Sequence, residues 1–216
     1  QQDVDRWFDV YFSRVDDNGR FVAIVFSDIS DRKRRERQQA FLLTFSDTLR
    51  TLADEKAIEE TGVRMLAEFL RLDRAYIFVL YPSEDRAVVR AEQRKENLAS
   101  LLGEVRMSDF PETVRQIENQ TLVINDIDSD ARLSDLNRTS LDAVNLQAFV
   151  CASVRKGEQN VIWSLAASTT VPRTWTKAEL ELIETVAERM WAAVERAKAE
   201  KALREAELQR VREQSA

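Results

Sequence analysis

Histidine is absent from all 216 residues of the chain. An imidazole is the base of Ser-His-Asp triads and the usual ligand of catalytic zinc and of many haem irons. Its absence excludes such triads and a phosphoaccepting histidine, and it disfavours most zinc and haem sites. We therefore expect a chain that is not an enzyme and that holds no metal.

Cysteine occurs once, as Cys151. A single thiol cannot form an intramolecular disulfide or a CxxC pair, which is consistent with a reducing cytoplasm. The sequence contains no run of about 18 apolar residues, and its start, QQDVDRWFDV, does not resemble a signal segment. The net charge of −6 does not favour nucleic acid. We expect a soluble, cytoplasmic protein without membrane contact.

Apolar and polar residues alternate on both sides of Asp16-Asp17-Asn18-Gly19. This pattern around an Asn-Gly pair predicts a β-hairpin, with strands at about 7–15 and 20–27. A basic run at 32–37 then leads into apolar residues at helical spacing, which predicts a helix over 31–52. The basic run is interpreted as a solvated helical face, with an anion-binding patch as the alternative.

The middle of the chain predicts a mixed fold. A second helix is expected over Glu55–Leu70, and the uniformly apolar residues 75–81 indicate a central strand covered on both faces. Further strands are expected after the turn at 82–85, at 121–126, and in QAFVCASVRKG and NVIWSLAAST, joined by a turn at Lys156-Gly157. Between them, 97–146 is irregular and polar, with one short helix near 111–119, as in a binding or mobile region.

These elements indicate an α+β fold: an antiparallel sheet of about five to six strands with helices on one face, and long N- and C-terminal helices. The final helix is expected from about Thr176 towards Arg212. Its apolar residues recur at 3-4 spacing: Leu180, Ile183, Ala187, Met190, Val194 and Ala197. We interpret this seam as the contact of a parallel homodimer that also includes the entry helix. The alternative is that the seam packs on its own domain.

Two resemblances to known families follow from particular residues. WFDVYFSRVDDNGRFVAIVFSDISDRKRRE resembles the closing strands and exit of a PAS domain, with Asp28-Ile29-Ser30 in place of the usual Asp-Ile-Thr. The turn at Pro172-Arg173-x-Trp175, followed by AERMWAAVERAKAEKALRE, resembles GAF domains of bacterial multi-domain sensors. The resemblance implies a PAS hairpin at 1–30, a linker helix at 31–52, a GAF-like domain at 53–175 and a coiled-coil linker at 176–216.

The GAF resemblance implies a non-catalytic sensory module. Its output would be a downstream kinase or other domain of the same chain, most typically a sensor histidine kinase core, and its terminal helices would relay the signal. A GAF module of a cyclase or phosphatase, or a dimerisation spacer without a ligand, remains as an alternative.

The resemblance also implies a pocket between the sheet and the irregular segment. The candidate lining residues on predicted strands are Tyr76, Phe78, Phe149, Cys151 and Trp163, with ordinary core packing as the alternative for each. Bilin attachment is disfavoured because the neighbouring histidine of that motif is missing, and no cyclic-nucleotide pattern is found. The acidic stretch 126–130 lacks the glycine and glutamate of a calcium loop. We expect no cofactor, although an organic ligand remains open.

Overall fold

The computed structural model describes residues 6–14, 22–118, 120–154 and 162–214. They belong to two compact units, 1–44 and 45–216, whose boundary lies within the first helix. The strands are β1 (Phe8–Arg14), β2 (Val22–Asp28), β3 (Arg74–Tyr81), β4 (Arg86–Arg94), β5 (Gly103–Arg106), β6 (Leu122–Ile124), β7 (Ala148–Val154) and β8 (Ile162–Thr169). The helices are α1 (Ser30–Arg50), α2 (Glu55–Leu70), α3 (Pro111–Ile117), α4 (Asp135–Ala143) and α5 (Lys177–Gln214).

The first unit is built on an antiparallel hairpin of β1 and β2. Both strands expose large apolar side chains, among them Phe12 and Phe26. Asp28 accepts a hydrogen bond from the backbone of Ser30 (2.9 Å), and the Ser30 hydroxyl accepts one from the backbone of Trp7 (2.9 Å). The predicted turn at Asp16–Gly19 lies outside the described residues, as does the one at Lys156-Gly157.

Helix α2 has the predicted bounds because both ends carry local signals. The Asp54 side chain accepts a hydrogen bond from the Ala57 backbone and caps the N-terminus. Arg71 ends the helix in the left-handed conformation (φ 53°), and its N–H bonds carbonyls of the last turn. Within the helix, Gly62 lets Met190 of α5 approach its backbone closely.

The second unit contains a six-stranded antiparallel sheet in the order β5-β4-β3-β8-β7-β6. The predicted fold class is confirmed. As predicted, β3 is central and is buried along almost its whole length. The predicted strands account for five of the six, and β5, a short exposed edge strand, was not predicted.

The two faces of the sheet are covered differently. Helices α2 and α5 pack against one face, where they meet β3, β4, β7 and β8. On the other face, α3 packs against β6 and β7 and also contacts α4. The segment predicted to be irregular thus holds β5, β6 and two short helices, of which α3 was predicted and α4 was not.

The predicted dimer seam on α5 lies inside the domain. Ile183, Ala187, Met190, Val194 and Ala197 are buried, and Leu180 is half-buried. Interpreting the seam as a free dimer contact was therefore wrong, because the 3-4 spacing marks a face that packs on this domain's own α2 and sheet. From Ala199 to Glu213 every side chain of α5 is exposed, including Leu208 and Val211.

Candidate ligand cavity on one face of the sheet

A cavity of about 100 Å³ lies between the sheet and the segment that covers its α3 side. Apolar side chains make up nearly all of its wall, and Arg106 and Thr113 are the polar exceptions besides the groups of Tyr76 and Cys151. The lining residues come from β3, β4, β5, β7, α3, α4 and their connections. The cavity is therefore shaped by both the sheet and the covering segment.

Four of the five predicted pocket residues line this cavity: Tyr76, Phe78, Phe149 and Cys151. Their side chains share one face because β3 and β7 both pair with β8, and Ala166 of β8 lies opposite Tyr76 on one side and Cys151 on the other. The rings of Tyr76 and Phe78 are 5.7 Å apart.

Trp163 was predicted to line the pocket, and this prediction was wrong. It pairs with Val79 of β3. Val79 directly follows Phe78, so the side chains of Val79 and Trp163 lie on the opposite face of the sheet, toward α2 and α5. The Trp163 indole N–H donates to Glu59 Oε1 of α2 (3.2 Å), and its ring lies 5.9 Å from the ring of Trp191 on α5. Trp163 therefore joins the sheet to the two long helices.

Glu59 is a buried carboxylate on this helix face. Burial raises its pKa, which the charge of Arg90 and the hydrogen bond from Trp163 partly offset. Arg90 Nε lies 3.2 Å from Glu59 Oε2, and Arg90 Nη2 lies 3.3 Å from Glu55 Oε2. The group thus fixes α2 on β4 and holds the Trp163 indole in place.

The two reactive groups in the cavity wall are held in their neutral forms. Burial raises the pKa of the Cys151 thiol to about 12, so it carries no thiolate at neutral pH and is a poor nucleophile. Burial also raises the pKa of Tyr76 well above its ordinary value. Neither side chain provides a charged group in the cavity.

A buried ion pair lies beside Tyr76, since Arg74 is two residues away on β3 and Glu92 of β4 pairs with Tyr76. Arg74 Nη1 lies 3.0 Å from Glu92 Oε1, and the two side chains are 1% and 2% exposed. Arg74 Nη2 donates to the Ala99 carbonyl (2.9 Å), while Glu92 accepts from the Leu101 backbone (3.1 Å) and from the Ser100 hydroxyl (2.8 Å). The pair thereby fixes the segment that brings Leu101 into the cavity wall.

The opposite wall depends on α3 and α4, which are held together by polar side chains. The buried Asn137 amide donates to the Thr113 hydroxyl (2.8 Å), and the Ser134 hydroxyl donates to Glu112 (2.9 Å). Ser134 also caps α4 by accepting from the Asn137 backbone (3.3 Å). This cap is the sequence signal that could have revealed α4.

The turn before α5 is tied to the sheet. Trp175 is buried, and its indole N–H donates to the Ile124 carbonyl (3.1 Å). The Arg173 guanidinium donates to the Leu70 carbonyl at the end of α2 (3.2 Å) and pairs with Glu179 (2.5 Å). Because β6 also borders the cavity face, the start of α5 is linked to the cavity side of the sheet.

The acidic stretch at 126–130 forms turn and loop contacts. Asp126 accepts from the Gln147 side chain (2.9 Å) and the Ser129 hydroxyl (2.9 Å), and Asp130 pairs with Arg132 (2.5 Å). Across 6–14, 22–118, 120–154 and 162–214, no group of three or more acidic or cysteine side chains is placed to hold a metal ion. In those same ranges, every helix is too short or too polar to cross a membrane.

Solved structures share this fold at low sequence identity. The phycocyanobilin-bound GAF domain of a cyanobacterial phytochrome has a TM-score of 0.65 and 20% identity, over 76% of this chain and 96% of that one. The chromophore-binding domain of a bacteriophytochrome from R. palustris has a TM-score of 0.63 and 16% identity, over 89% of this chain and 70% of that one. Free methionine-R-sulfoxide reductase from Neisseria meningitidis has a TM-score of 0.57 and 10% identity, over 75% of this chain and 90% of that one.

A comparison with curated proteins finds no match. The family model of the GAF domain matches residues 54–194, which is more than half of the chain. That range begins at the Asp54 cap of α2 and includes the whole sheet and most of the buried part of α5. The chain therefore belongs to the GAF domain family.

Proposed function

We propose that this chain is a non-catalytic sensory module of a bacterial signal-transduction protein. A small ligand in the cavity, or a change at the dimer contact, would alter how α5 packs, and α5 would pass that change to an output module. The observation that carries this proposal is that β3 and β7 line the cavity with one face and pack against α2 and α5 with the other.

A non-catalytic role is supported by the wall of the cavity. Its thiol and phenol are neutral, and its hydroxyl at Thr113 accepts the hydrogen bond from Asn137. General acid–base catalysis needs a side chain whose pKa lies near the operating pH, and nucleophilic catalysis needs a side chain whose nucleophile is activated. No lining residue described by the structure meets either need.

The bilins of the phytochrome relatives do not fit this cavity. Pockets for drug-sized ligands have volumes of about 300–1,000 Å³, whereas this cavity has about 100 Å³. A linear tetrapyrrole is larger still. Met107, Phe110 and Phe149 are bulky residues of the cavity wall. We infer a smaller ligand and no covalent attachment to Cys151.

The relay is supported by contacts between the end of α1 and α5 in the second unit. The Arg196 guanidinium donates to carbonyls at and just after the end of α1, those of Leu49 (3.0 Å), Arg50 (3.1 Å) and Leu52 (3.1 Å). Arg189 donates to the Ser46 hydroxyl (2.6 Å). A displacement of α5 would therefore also displace the end of α1.

The context of the parent protein is the finer part of the proposal. We infer that 1–30 is the closing hairpin of a PAS domain, which the paired, apolar strands β1 and β2 support. We also infer a homodimer through exposed parts of the terminal helices, in the cytoplasm, with a histidine kinase core as the output. A cyclase or phosphatase output, or a ligand-free spacer, is the competing possibility.

Hydrogen exchange read by mass spectrometry tests the coupling between cavity and output helix. Val114→Phe fills the cavity from α3, and Leu102→Phe adds the same ring bulk at an exposed residue outside the cavity wall. We expect Val114→Phe to change exchange in α3 and in the buried half of α5, and Leu102→Phe to leave α5 unchanged. A change confined to α3 would favour the spacer. Native mass spectrometry of freshly purified protein would show whether a small molecule is retained.

A further inference from the structure

The Tyr76 hydroxyl is an unpaired donor at the cavity. Tyr76 lies in the wall and is only 8% exposed. Among the described residues its hydroxyl has no hydrogen-bond partner; its ring contacts that of Phe78, and Cys151, Arg74 and Glu92 act on it electrostatically. The hydroxyl oxygen is not among the fully buried polar atoms that lack a partner, so it is open to the cavity. A molecule in the cavity can therefore be its hydrogen-bond partner.

We propose that the cavity takes a small uncharged molecule with one hydrogen-bond acceptor, such as a cyclic ketone, whose oxygen accepts a hydrogen bond from the Tyr76 hydroxyl. This inference rests on the proposed sensory function and names the chemical class of its ligand. Apart from Thr113 and Arg106, the remaining wall contacts are apolar, so the rest of the molecule is a hydrocarbon body.

The charges around the cavity exclude an ionic ligand from its interior. Arg74 and Glu92 neutralise each other, and Tyr76 stays protonated because burial raises its pKa. The one charged lining residue, Arg106, has a side chain that is 76% exposed and pairs with Asp109 (3.5 Å). An ion inside would lose its hydration without gaining a partner of opposite charge.

The size of the cavity limits the hydrocarbon body. An engineered apolar cavity of about 150 Å³ in another protein holds benzene, and this one has about 100 Å³. A ring of about five or six carbon atoms is therefore the upper limit without movement of the wall. Such a body would contact Phe78, Phe149 and the Cys151 side chain, while the acceptor meets Tyr76.

Three cyclopentane derivatives test the proposal by NMR titration of the full 216-residue chain. Cyclopentanone and methylenecyclopentane have nearly the same shape, and only the ketone carries the acceptor. Cyclopentanecarboxylate is larger and carries a negative charge. We expect cyclopentanone to bind about three to ten times more tightly than methylenecyclopentane, as one net hydrogen bond would give. The carboxylate should not bind. Amide shifts should be centred on β3, β7 and α3.

Tyrosine variants test whether the Tyr76 hydroxyl causes the preference for the ketone over the alkene. Tyr76→Phe should bind the ketone and the alkene equally, whereas Tyr81→Phe, a control outside the cavity wall, should keep the preference. Val114→Phe should abolish binding of both. Equal binding of ketone and alkene by the unmodified chain, a preference that survives Tyr76→Phe, or binding of the carboxylate would overturn the proposal.

Failure of this inference can be told from failure of the sensory function. If none of the probes binds, the proposed ligand class is wrong. The hydrogen-exchange comparison of Val114→Phe with Leu102→Phe needs no ligand, so it reports on coupling to α5 in either case. A retained molecule that is charged would likewise overturn the ligand class and support a sensory site.

Discussion

Met190 of α5 packs directly against Gly62 of α2, and replacing Gly62 with alanine tests how tightly these helices pack. A methyl group at this position would lie 2.3 Å from Met190 Cε, 2.6 Å from Sδ and 3.1 Å from Cγ. Met190 is fully buried, so its side chain has little room to move away. Alanine therefore cannot be added without displacing Met190 or separating the helices.

Two opposing effects determine how much Gly62→Ala changes the free energy of unfolding. Alanine in a helix interior is more favourable than glycine by about 1 kcal/mol. Overpacking a core costs about 1–3 kcal/mol. The free energy of unfolding should therefore fall by up to about 2 kcal/mol, despite the better helix propensity.

A double-mutant cycle separates the two effects. Met190→Ala alone should cost about 2–5 kcal/mol by leaving a cavity. With that side chain removed, Gly62→Ala should stabilise by about 1 kcal/mol, because only the propensity gain remains. The coupling energy between the two sites should be about 1–3 kcal/mol.

Urea denaturation followed by tryptophan fluorescence measures these values, since Trp163 and Trp175 are buried. Glu60→Ala, at an exposed position of α2, is the control and should change stability by less than about 0.5 kcal/mol. If Gly62→Ala stabilises the unmodified chain by the full propensity difference, or if the two changes are additive, the close packing of α2 on α5 is refuted.

Two further results are expected. Because burial raises the pKa of Glu59, its contribution to stability is greatest below its ordinary pKa of 4.5 and is lost as pH rises through the raised value. Urea titrations should thus show a smaller loss of stability from acid to neutral pH in Glu59→Gln, and an unchanged pH slope would contradict this. If the exposed part of α5 forms the dimer contact, Leu208→Glu combined with Val211→Glu should give a monomer in sedimentation analysis while the unmodified chain is a dimer; a monomeric unmodified chain would contradict the homodimer.

Local signals allowed much of the fold to be predicted. The capped ends of α2 and the unbroken apolar run of β3 each lie within a few residues of sequence, so their physical cause is visible there. Tyr76 and Phe78 are two residues apart in β3, so their side chains are expected on the same face of the sheet. In contrast, β5 is short, exposed and without periodicity, and nothing local marks it.

The two errors have a common physical origin in contacts between distant residues. Whether Trp163 faces the cavity depends on its pairing with Val79, far earlier in the chain, and a shift of one residue reverses the face. Likewise, the 3-4 spacing of Met190 and its neighbours shows that this side of α5 is buried, but not whether its partner is the same chain or a second copy. Periodicity identifies a buried face without naming what buries it.

In β7, Phe149 and Cys151 face the cavity, while Val150 and Ala152 face the side on which α5 lies. The wall of the cavity and the surface that supports α5 are therefore alternate residues of one strand, with no linker between them. Substitutions that reshape the cavity also move the support of α5. Changes of the cavity wall during evolution are thus tied to compensating changes on the opposite face of the same strand.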